Sequence, residues 1–152
     1  YKPAVEFSIN HSDAVTTVSQ SLKKDTLRLF NIKKEIEVIY NFIDFVKIDA
    51  IEKDELLRSN LADPGERIMT HVSNLRPVKR ILDVLRIFHK EQQKIPSKLI
   101  LVGDGPDKEK ADLLAKELGN SEKVLFLGKS DEIRKILFLT DLFLLPSETE
   151  SF

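Results

Sequence analysis

The sequence predicts an α/β chain built on a doubly wound parallel sheet, and two observations predict it. Three short runs, Leu99–Val102, Val124–Leu127 and Leu142–Leu145, are apolar at consecutive positions rather than alternate ones. Such runs suit strands buried on both faces of a parallel sheet. Segments with helical spacing separate them, and strand–helix alternation implies a doubly wound sheet with right-handed crossovers.

The elements follow in order. Lys2–Asn10 reads as a short helix with Pro3 near its start. Ala14–Val18 is a β-branched strand, and Ser19 caps a helix reaching about Phe30, with Leu22, Leu27 and Phe30 inward. Ile36–Tyr40 alternates as a strand. Asn41–Ala50 shows no period and reads as a linker between two units. A short helix near Lys53–Leu61 and a turn at Asp63-Pro64-Gly65 lead to the strand Ile68–Ser73. After the loop Asn74–Arg76 a helix opens at Pro77, with Val78, Ile81, Leu82, Leu85 and Phe88 as its buried stripe. The strand Leu99–Val102 runs into the turn Gly103–Pro106, and a charged helix continues to Leu118 with Gly119 as its cap. Strand Val124–Leu127, a helix near Asp131–Leu139 and strand Leu142–Leu145 complete the pattern.

Composition removes several function classes. The chain has 24 Lys and Arg against 25 Asp and Glu, so it lacks the basic excess of a general nucleic-acid or membrane-surface binder. It has no Cys, which excludes disulfides, thiolate metal sites and thiol catalysis and fits a cytoplasmic setting. No apolar run approaches the roughly 18–20 residues that span a bilayer. The first residue is Tyr1 and the last apolar run stops in a polar loop, so the expectation is a piece of a longer protein.

Any anion site must therefore be local. Ser73–Arg80 reads SNLRPVKR. A helix beginning at Pro77 would leave free N–H groups and a partial positive charge beside Arg76, Lys79 and Arg80. Cations are disfavoured at that end unless an anion lies between them, and phosphate suits both Arg and Lys. Solvated surface charge is the alternative for each of the three, Arg80 above all. Gly103-Asp104-Gly105-Pro106 lacks a phosphate-binding glycine pattern and reads first as a tight strand-to-helix turn. Glu148 and Glu150 lie in the last loop, where Glu148 reads as solvated. His71 falls in an apolar strand as a core residue. No histidine has a partner at metal-ligand spacing, so no metal is expected.

The motifs VGDGP at Val102–Pro106, LFLGK at Leu125–Lys129 and DLFLLPSE at Asp141–Glu148 resemble the C-terminal nucleotide-binding domain of the family-4 retaining glycosyltransferases, which have the GT-B fold. SDAVTTVS at Ser12–Ser19 and VIYNFID at Val38–Asp44 are similar to the end of that family's N-terminal domain and its crossover. The resemblance implies two parts: residues 1–42 from the acceptor domain and crossover, and residues 43–152 from a Rossmann-like nucleotide-sugar domain. HVSNLRPVKR at His71–Arg80, IPSKLIL at Ile95–Leu101 and PSETESF at Pro146–Phe152 are similar to the branch of the bacillithiol pathway. That branch transfers N-acetylglucosamine from UDP-N-acetylglucosamine to L-malate.

From the resemblance, Arg76 and Lys79 contact the donor diphosphate. Most of the family has its Arg five residues before the Lys, where this chain has Asn74; the role passes to Arg76 because the nearest branch is shifted likewise. The implied nucleotide-sugar contacts are Asn74, Arg76, Lys79, Gly103, Lys129 and Glu150, and the catalytic roles fall to Glu150, Lys79 and Arg76. Glu150 opens the family's paired-glutamate motif and faces the donor sugar; its partner would lie past Phe152. The implied partners are UDP-N-acetylglucosamine and L-malate or a similar small acceptor, with no metal or other cofactor, no nucleic acid, no membrane span, and room for a homo-oligomer. The rivals are a family-4 transferase acting on a lipid or polysaccharide and a non-catalytic nucleotide-sugar-binding module. This piece by itself is expected to be inactive, because catalysis needs both walls of the cleft.

Overall fold

The computed structural model describes residues 1–49 and 51–150, which form two compact units. One is built on Tyr1–Asp44, with Glu150 assigned to it; the other runs from Phe45 to Thr149. Ala50, Ser151 and Phe152, which the sequence assigns to the linker and the last motif, lie outside the described residues.

In the first unit, helix α1 (Lys2–Asn10) carries its proline in the first turn, as expected. Strands β1 (Thr16–Thr17) and β2 (Glu37–Val38) pair in parallel and are shorter than the runs Ala14–Val18 and Ile36–Tyr40. Helix α2 (Gln20–Leu29) starts where Ser19 Oγ accepts the Leu22 N–H at 3.1 Å. The inward stripe is a correction: Leu22 and Leu27 are 42% and 45% exposed. The only buried residues of the described part of this unit are Thr17 and Ile36. A two-stranded sheet offers too little covered face to bury a helix stripe.

The second unit opens with α3 (Phe45–Asp49), where the sequence predicts only irregular chain. Helix α4 (Glu55–Leu61) is capped by the Asp54 carboxylate, which accepts the Leu57 N–H at 2.9 Å. Then come β3 (Arg67–Val72), a 3₁₀ turn at Pro77–Lys79, α5 (Ile81–Gln92), β4 (Ser97–Val102), α6 (Lys108–Glu117), β5 (Val124–Gly128), α7 (Ile133–Phe138) and β6 (Leu142–Phe143). Gly119 follows α6 with φ +70°, the left-handed conformation expected of it.

These strands form one parallel sheet in the order β5-β4-β3-β6. Its apolar runs divide by parity, as side chains of a strand must. Met69, Leu99, Leu101, Val124 and Phe126 pack with Ile81, Val84, Leu85 and Phe88 of α5 and Ala111 and Ala115 of α6. Ile68, Ile100, Val102, Leu125 and Leu127 pack with Leu57 and Leu61 of α4 and Ile133 and Ile136 of α7. Each fully buried side chain of this size stabilises the unit by about 1.5–3 kcal/mol. That two-sided burial explains the continuous runs of β4 and β5; for Leu142–Leu145 the expectation is corrected, because β6 is a two-residue edge strand whose Leu142 and Phe143 are 46% and 42% exposed.

Two carboxylates fasten the amino ends of the strands. Asp141, just before β6, accepts the Ile68 N–H at 2.7 Å and pairs with Arg67 at 2.9 Å. Partial burial opposes ionisation of Asp141, but the Ile68 N–H and the Arg67 guanidinium outweigh it and hold the carboxyl below its ordinary range. Glu66 behaves alike: its burial is outweighed by hydrogen bonds from Lys123 Nζ and the Asp63 N–H.

At the carboxyl ends the loops after β3 and β4 touch backbone to backbone. A Cβ on Gly103, whose φ is +118°, would stand 1.8 Å from the Ser73 carbonyl oxygen. One on Gly105 would stand 2.1 Å from the Asn74 carbonyl oxygen. Only glycine permits that approach.

Two outcomes are expected. Gly103→Ala combines a backbone clash with a left-handed φ and should cost about 3 kcal/mol or more in chemical unfolding. Gly65→Ala, with φ +86° and nothing within 4 Å, should cost about 1–2 kcal/mol. Because the Asp141 carboxyl is depressed in the folded state, its contribution is full above the ordinary carboxylate range and is lost as pH falls below about 4. Asp141→Asn should therefore lower stability at pH 7 by about 1–2 kcal/mol and flatten the acid limb of a stability–pH curve.

Candidate functional site

The sheet reverses direction between β3 and β6. From β3 the chain steps to β4 and β5 on one side, and β6 then returns to the other side of β3. Ligands of open parallel sheets bind beyond the carboxyl ends of the strands at such a switch point. The loops there are Ser73–Arg80 after β3 and the segment after Phe143. A backbone bond joins them, the Glu148 N–H donating to the Val78 carbonyl at 2.9 Å.

Ser73–Arg80 differs from the sequence expectation in one respect that matters. Pro77 opens a 3₁₀ turn, not the long helix. Arg80, with φ +54°, interrupts the chain, and α5 begins at Ile81. The α-helix N-terminus therefore does not lie between Arg76 and Lys79. It carries Asp83 in its first turn, which suits its dipole. Arg80 Nε bonds Asp83 at 2.6 Å and Arg86 bonds the same carboxylate at 3.0 Å. The Arg80 hydrogen bond outweighs the effect of burial and, with Arg86, depresses the Asp83 carboxyl. Arg80 thus shares the Asp83 carboxylate with Arg86.

Arg76 and Lys79 lie before this break. They flank the 3₁₀ turn, with the Lys79 N–H donating to the Arg76 carbonyl at 2.8 Å. Arg76 is the extended residue just before the turn, with φ −92° and ψ 159°, and Lys79 is the last residue of the turn. Arg76 is exposed and Lys79 is half-buried. Leu75, just before them, is fully buried with φ +34°; it and Arg80 are the only non-glycine residues with positive φ among those described. The turn is therefore bracketed by two left-handed residues, a conformation that persists only where surrounding contacts impose it.

Those contacts are present. His71 of β3 is 0% exposed and uses both ring nitrogens. Its Nδ1 lies 2.8 Å from the Leu144 carbonyl oxygen and its Nε2 2.8 Å from Ser73 Oγ. Ser73 Oγ also accepts the Leu75 N–H at 3.1 Å. On the other side, the Asp107 N–H donates to the Leu75 carbonyl at 3.0 Å.

Beside the turn is a cavity of about 270 Å³, lined by Ser73, Asn74, Gly103, Asp104, Lys129 and Ser130 with Val72, Val102 and Ile133. A register slip brings Lys129 there. Leu101 pairs with Phe126 but Val102 pairs with Gly128, so Leu127 is an extra residue in β5. Gly128, with φ +68°, then accepts the Gly103 N–H at 2.7 Å.

Of the six residues singled out from sequence, Asn74, Gly103 and Lys129 share this cavity, and Arg76 and Lys79 share the adjoining turn. Glu150 is exposed and assigned to the other unit. The close approach accounts for Gly103 as a structural glycine. Sequence reasoning missed the hydrogen-bonding part played by His71, Ser73 and Leu75; a histidine two residues before a serine at a strand end was the available signal. Among the described residues no group of three or more His, Asp or Glu is arranged to hold a metal ion. No helix of the described residues is long and apolar enough to cross a membrane.

The architecture is that of the GT-B glycosyltransferases. It superposes on Anabaena Alr3699/HepE, solved in complex with UDP and glucose, with a TM-score of 0.84 at 23% identity over 99% of this chain and 42% of that one. It also superposes on WaaG, a glycosyltransferase involved in lipopolysaccharide biosynthesis, with a TM-score of 0.82 at 16% identity over 98% of this chain and 43% of that one. Residues 52–152 match the family model of glycosyl transferases group 1, and the chain belongs to that family. It is 41% identical over 148 residues to the N-acetyl-alpha-D-glucosaminyl L-malate synthase of Bacillus anthracis, covering 97% of this chain and 39% of that protein. It is 31% identical to an uncharacterized glycosyltransferase of Methanocaldococcus jannaschii, covering 98% of this chain and 40% of that protein. The chain thus spans about two fifths of the length of these relatives.

Proposed function

We propose that the chain supplies the nucleotide-sugar side of a retaining glycosyltransferase that moves N-acetylglucosamine from UDP-N-acetylglucosamine to L-malate, a cytoplasmic reaction of bacillithiol biosynthesis. The observation that carries the reading is the short turn at Arg76–Lys79, at the switch point of a sheet of this family. The identity to the Bacillus anthracis synthase supports the choice of donor and acceptor. The cavity at Asn74, Gly103 and Lys129 is at the small end of ligand pockets and suits the nucleoside, with the diphosphate on the neighbouring turn.

The sugar's anomeric carbon exchanges its bond to the diphosphate oxygen for one to the malate hydroxyl oxygen, on the same face. The hydroxyl proton passes to the departing phosphate oxygen, so no protein base is needed. Arg76 and Lys79 stabilise the negative charge that grows on the diphosphate. Two fixed cations there take the role a divalent ion plays elsewhere. Glu150 is assigned to the donor sugar.

In the full-length protein, Lys79→Ala and Arg76→Ala should each lower kcat for UDP release by about 10²–10³-fold, with circular dichroism and melting unchanged. An unaltered kcat would remove these residues from the reaction. Excess EDTA should leave the rate with malate unchanged; a loss restored by Mg²⁺ would overturn the metal-free reading. UDP release with a lipid or saccharide acceptor but not with malate would keep the transferase and replace its acceptor.

A further inference from the structure

The hydrogen bonds around His71 form a single directed chain. The Leu144 carbonyl can only accept, so Nδ1 carries the ring hydrogen toward it. In the neutral ring Nε2 accepts from the Ser73 hydroxyl, whose oxygen in turn accepts from the Leu75 N–H. One buried side chain thereby holds two loops: the segment leaving β6, and the amide of the left-handed residue that immediately precedes Arg76. A packing role alone would not need this. β3 is otherwise apolar at its buried odd position Met69, and a leucine or phenylalanine could fill the same face.

We propose that His71, acting through Ser73, is the positioning residue of the phosphate-directed turn: it fixes the Leu75 amide, and so the entry to the turn that carries Arg76 and Lys79. This rests on the nucleotide-sugar reading above. The imidazole touches no reacting atom in this proposal. It sets the angle at which the chain leaves β3 and locks that angle to the β6 loop, whose Glu148 N–H meets the same turn at Val78. A displacement of about 1 Å in groups that meet the transition state costs about 10²-fold in rate.

The test uses the full-length protein with Ser73→Ala, His71→Asn and the double variant. Asparagine places an N–H near the position of the Nδ1 hydrogen but has nothing at Nε2, so it keeps the bond to Leu144 and loses the one to Ser73. Each single variant should lower kcat about 10- to 100-fold while the donor KM changes less than about threefold, because the turn acts on the leaving diphosphate. The double variant should be no worse than either single, since both break one relay. Amide exchange at Leu75 should quicken at least about tenfold in each variant while Leu99–Val102 stay protected. Folded Ser73→Ala protein with unchanged Leu75 exchange and a normal kcat would overturn the proposal, as would losses that multiply in the double variant. Should the wild-type protein transfer no sugar to any acceptor, the functional reading falls, and the exchange at Leu75 still decides whether His71 holds the turn.

Discussion

The constraint on which the rest of this structure depends is the contact between two loop backbones. The Ser73 carbonyl occupies the space a side chain at position 103 would need, and the Asn74 carbonyl occupies that of position 105. With both glycines in place, the loop after β3 lies flat against the loop after β4. The Leu75 carbonyl can then receive the Asp107 N–H at the start of α6. The strained backbone at Leu75 follows from this closeness, and so does the position of the turn behind it. Replacing either glycine would displace the loop after β3 through its backbone.

Electrostatics then sorts the charges near the turn. Three basic residues occur within five positions, yet they are not equivalent. Arg80 pairs with Asp83, a carboxylate that the first turn of α5 would favour in any case. Arg76 and Lys79 stand on a separate turn, three residues apart. The start of α5 is therefore separated from Arg76 and Lys79 by the break at Arg80. The same sheet is fastened at its amino end by Asp141 and at its carboxyl end by His71. A β6 of two residues, too short to hold itself, is thus kept in register beside β3.

Much of the second unit was legible in the sequence because burial on both faces leaves a plain mark. The runs Leu99–Val102 and Val124–Leu127 are continuous since each face of the sheet is covered by helices. The first unit was less legible. Its helix α2 has the spacing of a buried stripe, but Leu22 and Leu27 stay exposed because its two-stranded sheet provides no interior for them. For the candidate site, the sequence suggests residues and not their geometry. Asn74, Arg76, Lys79, Gly103 and Lys129 could be named from motifs, while the break at Arg80 could not, since an arginine at φ +54° carries no signature.

By itself the sequence determined the class: an alternation of doubly buried strands and amphipathic helices, with a local positive charge in an otherwise balanced chain. Those properties are set by residue type and spacing along one dimension. Only the tertiary structure decided that Arg80 pairs with Asp83, where α5 begins, and what His71 touches. The loop contacts join groups brought together from distant parts of the chain: Ser73 against Gly103, His71 against Leu144, Glu148 against Val78. Hydrogen bonds and steric contacts are short-ranged, so their partners are fixed by the fold and leave little trace in the order of the residues.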